Sequence, residues 1–349
     1  MASPAAFAPF AGASVERIVL AVSGGSDSTA LLYAAARMRA ELPPLLAVTI
    51  DHGLRSEAAA EASRVGEDCA RVGVRHVVER LPPAPAAGVA AWARSSRHDV
   101  LRRHAGPNGV VLLGHTLDDV AETVVMRARR GPGAGLAGIA PATLVGATWF
   151  YRPFIAAPRT ALRRMLERTG WGWIDDPTNA DARHERARTR LGMTAAARGE
   201  AIETAERWSR RRRAMAATAA NHLGARLVRT ADDAMVHDWD DVIPCQAIVL
   251  RALLPVLSGR PYPPPPASTS RAIAALRRGE RFTIGGCVLS VGGGALRVGR
   301  DPRALRRPRC PQTVRVVPSF DWSLHSVIEP WAAPPPVQFP VRGRGVEGS

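Results

Sequence analysis

The sequence contains no lysine: all 47 positions counted as Lys or Arg are arginine. Three chemistries fall away with that residue. A Walker-type phosphate loop, a pyridoxal Schiff base and a protein-kinase centre each depend on a lysine amine. Cysteine is nearly as scarce. Cys69, Cys245, Cys287 and Cys310 are scattered and form no CxxC pair. That spacing suits neither a zinc site nor a disulfide framework, and a reducing, cytoplasmic setting is the simplest reading. No uninterrupted apolar run approaches the ~18 residues of a membrane span. The N-terminal stretch has no charged segment leading into an apolar one, so it does not read as a secretory signal.

Acidic residues are also outnumbered. Against 47 arginines stand 31 Asp and Glu, which gives a net charge of +16 and a pI near 11.3. A chain this basic is expected to meet a polyanion, and nucleic acid is the leading case. A coding sequence biased toward arginine would raise the charge without any such partner. At 349 residues the chain has room for two domains at about 150 residues each.

In the first half, short apolar runs alternate with helical patterns. Ile18–Val22, Leu45–Ile50, Val74–Val78 and Val110–Leu113 read as buried strands. Helices are expected at about Ser28–Leu42, Glu57–Val72, Val89–Arg103 and Asp119–Arg130. This alternation predicts an α/β domain with a parallel sheet and right-handed crossovers. Ligands in such sheets bind beyond the carboxyl ends of the strands. Ser23–Ser28, Asp51 with His52, and His115 all fall there. After Tyr151 the pattern changes to a helix from Arg159 to Gly170, the polar loop WGWIDDPTN, and an arginine-rich helix after it. A helical and mixed second domain is expected over 205–305, after a first domain over 1–204. It contains the basic run Arg207 and Arg210–Arg213, a proline-rich linker at Pro261–Pro266, and short glycine-punctuated strands behind it. The Pro/Arg/Gly-rich tail, 306–349, is expected to be loosely ordered.

The stretch SGGSDS, Ser23 to Ser28, joins a buried strand to a helix. Small residues there let backbone N–H groups share a concavity with the positive end of the helix, a setting suited to phosphate. Gly24 and Gly25 remove bulk, and Ser23, Ser26 and Ser28 add hydroxyl donors. Asp27 is out of place in an anion pocket unless a Mg²⁺ ion bridges it to phosphate oxygens. The alternative is an ordinary strand-to-helix turn with a Ser/Asp cap.

Ser23–Ser28 resembles the PP-loop of the N-type ATP pyrophosphatases, which have an adenine-nucleotide alpha-hydrolase-like, Rossmann-like fold. Within that class, VTIDHGLRSEAAAEA, LLGHTLDDVAETVVMRARRGPGAGLAGI, YRPF, WIDDPTNAD and the pair Arg186 and Arg190 follow the motif order of the tRNA(Ile)-lysidine synthase family. The likeness is strong over about 16–192 and weak over 245–301. The chain departs from the family's usual pattern at Ala90, His98, Val120 and Ala187.

The resemblance implies ATP-dependent ligation of free L-lysine to cytidine 34 of a tRNA(Ile) with a CAU anticodon. The cytidine is first adenylated, because its urea-like oxygen leaves only as AMP. ATP and Mg²⁺ are the implied cofactors. The implied ATP-binding residues are Ser23, Gly24, Gly25, Ser26, Asp27 and Ser28, with Asp27 the metal candidate. Asp51, His52, His115, Asp118, Asp119 and Glu122 are the implied catalytic set. The three acids would recognise the lysine ammonium, hold Mg²⁺ or accept the amine's proton, and they also suit a helix N-terminus for purely electrostatic reasons. Arg94, Arg97, Arg130, Arg186 and Arg190 are candidates for phosphate or tRNA contact, since a guanidinium forks onto phosphate. Gly131, Gly133, Gly135 and Gly138 suggest a loop that closes over the cytidine. A PP-loop tRNA thiolase is the second enzyme reading, weakened by the missing cysteine pair, and a nucleotide-dependent RNA-binding module is the third. A membrane partner is not expected, and the oligomeric state, homodimer or monomer, is left open.

Overall fold

The computed structural model describes residues 6–51, 53, 57–175, 181, 183–230, 233–239, 245–260, 262–305 and 316–328. His52, most of the DDPTN loop and Cys310 lie outside the described residues. The chain divides into two compact units. One takes the described residues up to Thr143 and Thr148–Ser209, the other Leu144–Ala147 and the described residues from Arg210 to Ile328. No described helix is long and apolar enough to cross a membrane.

The first unit alternates strand and helix: β1 (Arg17–Ala21), α1 (Ser26–Arg37), β2 (Leu45–Asp51), α2 (Ala58–Arg71), β3 (Arg75–Arg80), α3 (Val89–Ala105), β4 (Gly109–Leu112) and α4 (Leu117–Ala128). A short β5 (Ala142–Val145) leads into β6 (Thr148–Tyr151), followed by α5 (Arg159–Arg168) and α6 (Glu185–Leu191). The pairs β1–β2, β1–β4, β2–β3 and β4–β6 are all parallel. Ile18, Val19 and Leu20 of β1 and Val111 and Leu112 of β4 are fully buried. Such unbroken apolar strands are what a parallel sheet covered on both faces requires. β1 sits between β2 and β4, so the crossovers diverge on either side of it. The carboxyl ends of β1 and β4 therefore flank the crevice where doubly wound sheets take ligands.

Helix α7 (Ala195–Leu223) runs for 29 residues, and the division between the units falls inside it. Ala201 and Ala205 of its first part pack with Val120, Ala121 and Val124 of α4. The second unit then adds β7 (Leu227–Arg229), β8 (Asp233–Val236), α8 (Gln246–Ser258), α9 (Pro266–Arg277), β9 (Phe282–Ile284), β10 (Cys287–Gly292), β11 (Ala295–Arg300) and α10 (Pro302–Leu305). Its antiparallel sheet runs β7-β8-β11-β10-β9. Leucines of α8, with Leu289, Leu296 and Val298 from the strands, form its core.

Two sequence expectations are corrected, and one helix is added within the helical and mixed region expected over 205–305. Helix α1 starts at Ser26 and stops at Arg37, so part of the phosphate-loop motif is already the helix's first turn. Helix α8 was not foreseen, because its uniformly apolar face, with Pro255 inside, carries no clear helical period. The tail is not uniformly loose: it forms β12 (Val316–Pro318) and α11 (Trp322–Ile328), whose Leu324 and Ile328 enter the second unit's core.

Candidate active site

The loop between β1 and α1 is held open by its own side chains. Ser28 Oγ accepts from the Ser23 amide at 3.1 Å and donates to the Gly25 carbonyl at 3.0 Å. Thr29 Oγ1 donates to the Gly24 carbonyl at 3.0 Å. Gly24 has φ +84°, and a Cβ there would meet Ile174 Cδ1 at 2.5 Å. The Ile174 amide in turn donates to the Gly24 carbonyl at 2.9 Å. The positive φ is what favours glycine at position 24, and a larger residue there would also push the Ile174 side chain aside. The unpaired amides of the first turn of α1 face a cavity of about 840 Å³.

Across the cavity, Gly114 brings the end of β4 against α1. A Cβ on Gly114 would lie 2.7 Å from the Asp27 carbonyl oxygen and 3.1 Å from the Ser28 amide nitrogen. Directly after it, Thr116 and Asp119 open helix α4. Asp119 Oδ2 accepts from the Thr116 amide at 2.7 Å and from its hydroxyl at 2.9 Å. Asp118 Oδ2 accepts the Arg159 amide at 2.7 Å, which satisfies the first free N–H of α5. The acids therefore do cap helices, as their position allowed, and the same arrangement fixes them at the cavity wall.

One guanidinium joins the two walls. Arg159 Nε donates to Asp27 Oδ2 at 2.8 Å, Nη2 to Asp119 Oδ1 at 3.0 Å, and Nη1 to Glu122 Oε1 at 3.3 Å. Arg186 reaches Glu122 Oε2 at 2.8 Å and Asp119 Oδ1 at 3.1 Å, and Arg190 reaches Glu122 Oε1 at 2.7 Å. Burial pushes the Asp27 carboxyl above the ordinary carboxylate range, and Arg159 offsets only part of that. For Glu122, burial acts in the same direction but hydrogen bonds from Arg190 and Arg186 outweigh it, leaving its pKa below the usual value. Two carboxyls bound to one arginine are thus pushed in opposite directions.

A second cationic group lies behind the end of β4. Burial holds His115 well below the usual imidazole pKa, and Arg152, Arg97 and Arg186 add to the effect. His115 is therefore neutral, and its Nδ1 is buried with no hydrogen-bond partner among the described residues, as is Arg97 Nε. Arg152 of YRPF is buried, donates to the Ala140 carbonyl and to Thr143 Oγ1 at 3.0 Å, and is lowered to about 9 by burial and by Arg94 and Arg97. His98, pulled down to about 3 chiefly by burial, packs against Phe150 at 5.1 Å between ring centres with the ring planes tilted by 59°.

The cavity gathers Ser23, Gly25–Ser28, Asp51, Arg97, His115, Asp119, Arg186 and Arg190 from the predicted set. Asp51 Oδ1 accepts the Gly53 amide at 2.7 Å, which caps the turn after β2. Asp118 and Glu122 are buried behind the wall, where they hold arginines. Arg130 pairs with Glu185 at 2.6 Å and does not line the cavity; Arg94 is exposed and does not line it either. The glycine loop is partly tied down, with Arg127 Nη1 donating to the carbonyls of Gly135 and Gly138, and it too lies off the cavity wall. Arg159, Arg163, Gly114 and Ile174 were missed. A proline followed by arginine at the start of a helix was the one available signal for Arg159, and it does not say which acids the arginine meets. Of the departures from the family pattern, His98, Val120 and Ala187 are buried away from the cavity. None of Cys69, Cys245 and Cys287 lines it.

Among the described residues, no three acidic, His or Cys side chains are grouped to hold a metal ion. Asp27 is the one phosphate-loop carboxylate, which suits an ion carried mainly by phosphate oxygens. Such an ion would displace Arg159 from Oδ2 or Ser26 from Oδ1.

Comparison with known proteins gives the family. A model of the PP-loop domain matches residues 5–197. The tRNA(Ile)-lysidine synthase of Methylobacterium nodulans is 38% identical over 312 residues, covering 82% of this chain and 90% of that protein. That of Brucella ovis is 42% identical over 207 residues, covering 56% of this chain and 46% of that protein, so the match spans about half of the Brucella protein's length. Among solved structures, the U34-tRNA thiolase NcsA from Methanococcus maripaludis with its 4Fe-4S cluster matches with a TM-score of 0.47 and 15% identity, over 58% of this chain and 77% of that one.

Proposed function

The chain belongs to the tRNA(Ile)-lysidine synthase family of PP-loop proteins, and from that premise we propose that it ligates free L-lysine to C2 of cytidine 34 in a tRNA(Ile) with a CAU anticodon. ATP first transfers its adenylyl group to the cytidine O2 and releases pyrophosphate. The lysine ε-amine then attacks C2, the C2–O2 bond breaks, and O2 leaves on AMP. The amine's proton goes to a cavity base. The tRNA so modified pairs with AUA instead of AUG.

One observation carries this reading. The loop Ser23–Ser28 and Asp119 of the α4 acids line a single cavity, and Arg159 ties Asp27 of the loop to Asp119 and to Glu122 behind the wall. Nucleotide phosphates fit against Ser23–Ser28 at the N-terminus of α1. Asp119 is the acid of the α4 cluster that reaches the cavity, which makes it the candidate for direct amine contact, with Asp118 and Glu122 setting its arginine partners. His115 and Arg97 line the same cavity and are the candidates for contact with the adenylate phosphate or the cytidine. Magnesium would arrive with ATP and use Asp27. The 16 excess positive charges, and the exposed Arg207, Arg210 and Arg211 of α7, support tRNA backbone contact. The first domain, about 1–204, would carry the chemistry and the second, about 205–305, the tRNA contacts. Free, buried Cys69, Cys245 and Cys287 are consistent with a cytoplasmic site of action.

The test is mass spectrometry of nuclease-digested tRNA(Ile) after incubation with ATP, magnesium and lysine. The anticodon nucleoside should gain one lysine less one water. An unmodified cytidine with intact ATP contradicts the proposal.

A further inference from the structure

Every carboxylate of the acid cluster already has a guanidinium. Arg159 holds Asp27, Asp119 and Glu122; Arg186 holds Asp119 and Glu122; Arg190 holds Glu122; and Arg198 lies 3.5 Å from Asp118. Four acids thus face four arginines, and an ammonium entering the cluster finds no unmatched negative charge. At the centre of this network Glu122, Asp119 and Arg159 are shielded, 2%, 9% and 13% exposed at the side chain, so solvent does little to compensate there, while Arg186, Arg190 and Arg198 are part-exposed.

The phosphate loop has the opposite need. A triphosphate placed against Ser23–Ser28 brings several negative charges to a loop whose own ionisable group, Asp27, is itself an acid. Arg159 is the arginine of this cluster that touches both sides, since its Nε is on Asp27 of the loop while Nη1 and Nη2 are on Glu122 and Asp119. Arg163 also meets the loop, at Ser26 Oγ, but its acid partner is the exposed Asp175 and not the α4 cluster. A charge brought to the loop is therefore felt by the acids through one side chain.

We propose that Arg159 is a counter-ion switch that makes binding of the amine substrate depend on bound nucleotide. With the loop empty, its guanidinium neutralises Asp27, Asp119 and Glu122. A triphosphate in the loop competes for the same guanidinium, and Asp119, which lines the cavity, is left with Arg186 as its remaining guanidinium and with charge to offer the lysine ε-ammonium. ATP and lysine then bind with positive coupling. Arg159 acts here as a positioning residue, through the acids it releases. This inference rests on the reading that lysine is the amine substrate.

The experiment is a calorimetric titration of lysine into the full chain with unmodified tRNA(Ile) bound, with and without saturating magnesium and α,β-methylene-ATP, which cannot adenylate. Lysine should bind at least about tenfold more tightly with the nucleotide, within the range usual for coupled sites. In Arg159→Ala that ratio should collapse to within about twofold, with lysine binding in the absence of nucleotide strengthened. Arg159→Lys, which keeps the charge but loses the fork, should retain part of the coupling. Equal lysine affinity in both arms for the unaltered chain overturns the switch and leaves the substrate reading standing. No lysine binding in either arm, with nucleotide binding intact, overturns lysine as the substrate and the switch with it. If the alanine variant does not fold, the unaltered chain still decides, because saturating lysine must raise nucleotide affinity by the same factor.

Discussion

Replacing Gly114 by alanine tests whether the end of β4 sets the position of the phosphate loop. The new Cβ would stand 2.7 Å from the Asp27 carbonyl oxygen, 2.9 Å from its carbon and 3.1 Å from the Ser28 nitrogen. All three are main-chain atoms of the first turn of α1, so no side-chain rotation relieves the contact. Relief requires the two elements to part by roughly half an ångström, an overpacking expected to cost about 1–3 kcal/mol. The same shift displaces the amides that would hold phosphate. Since a misplacement of about 1 Å costs on the order of 10²-fold in rate, Gly114→Ala should lower kcat/KM for ATP by about tenfold or more. The assay is tRNA-dependent pyrophosphate release at varied ATP, beside a thermal melt and a tRNA-binding measurement. Affinity for tRNA should be unchanged. Gly199→Ala is the control, because its Cβ meets nothing within 4 Å on α7 and alanine favours the helix. Gly114→Ala with unaltered ATP dependence and melting would refute the argument that β4 abuts the loop.

Asp27→Ala should abolish pyrophosphate release while tRNA binding persists; retained turnover removes Asp27 from the nucleotide site. Glu122→Gln leaves Arg186 and Arg190 without their buried anion and should cost roughly 2 kcal/mol by denaturant midpoint, less than a fully buried pair because both arginines are part-exposed. Since the folded-state pKa of Glu122 is depressed, its stabilisation exists above the unfolded carboxylate pKa and is lost as pH falls through the folded one. The deficit of Glu122→Gln should therefore shrink in acid, and a pH-independent deficit would point to packing instead. His98 stays neutral in the fold down to about 3, whereas the unfolded imidazole protonates near 6.5. Stability should fall between those values by up to about 1.4 kcal/mol per pH unit, and His98→Phe, which can pack against Phe150, should flatten the slope; an identical slope would clear His98 of that role. Charge reversal at Arg207, Arg210 and Arg211 should reduce the salt dependence of tRNA affinity, by about 0.9 in log–log slope for each phosphate that α7 no longer neutralises. Arg212 is left out because it pairs with Asp321, and an unchanged slope would return α7 to an ordinary solvated face.

The parallel sheet was legible because β1, β2 and β4 are short, unbroken apolar runs with helical patterns between them. The phosphate loop was legible because few residues other than glycine and serine fit between a buried strand and a helix N-terminus. Asp118, Asp119 and Glu122 were also found, but their division of labour was not. Asp119 faces the cavity while Glu122 lies behind it, a difference of three positions on one helix whose meaning depends on where α5 and α6 pack. Arg159 was invisible for the same reason: it is 132 positions from Asp27 and 40 from Asp119, and only the packing of α5 brings them together. Gly114 looked like a spacer before His115, since a steric role against α1 leaves no trace in its neighbours. Helix α8 and α11 escaped because uniformly apolar or short segments lack the polar face that gives a period.

The central claim is that one cavity activates a tRNA cytidine with ATP and then joins lysine to it. The most direct measurement is an incubation of the full chain with ATP, magnesium and radiolabelled lysine, using unmodified tRNA(Ile) with a CAU anticodon in one arm and a methionine tRNA with the same anticodon in the other. The account predicts label on the isoleucine tRNA alone, with one AMP and one pyrophosphate for each lysine attached. Label on neither tRNA, or equally on both, would contradict it.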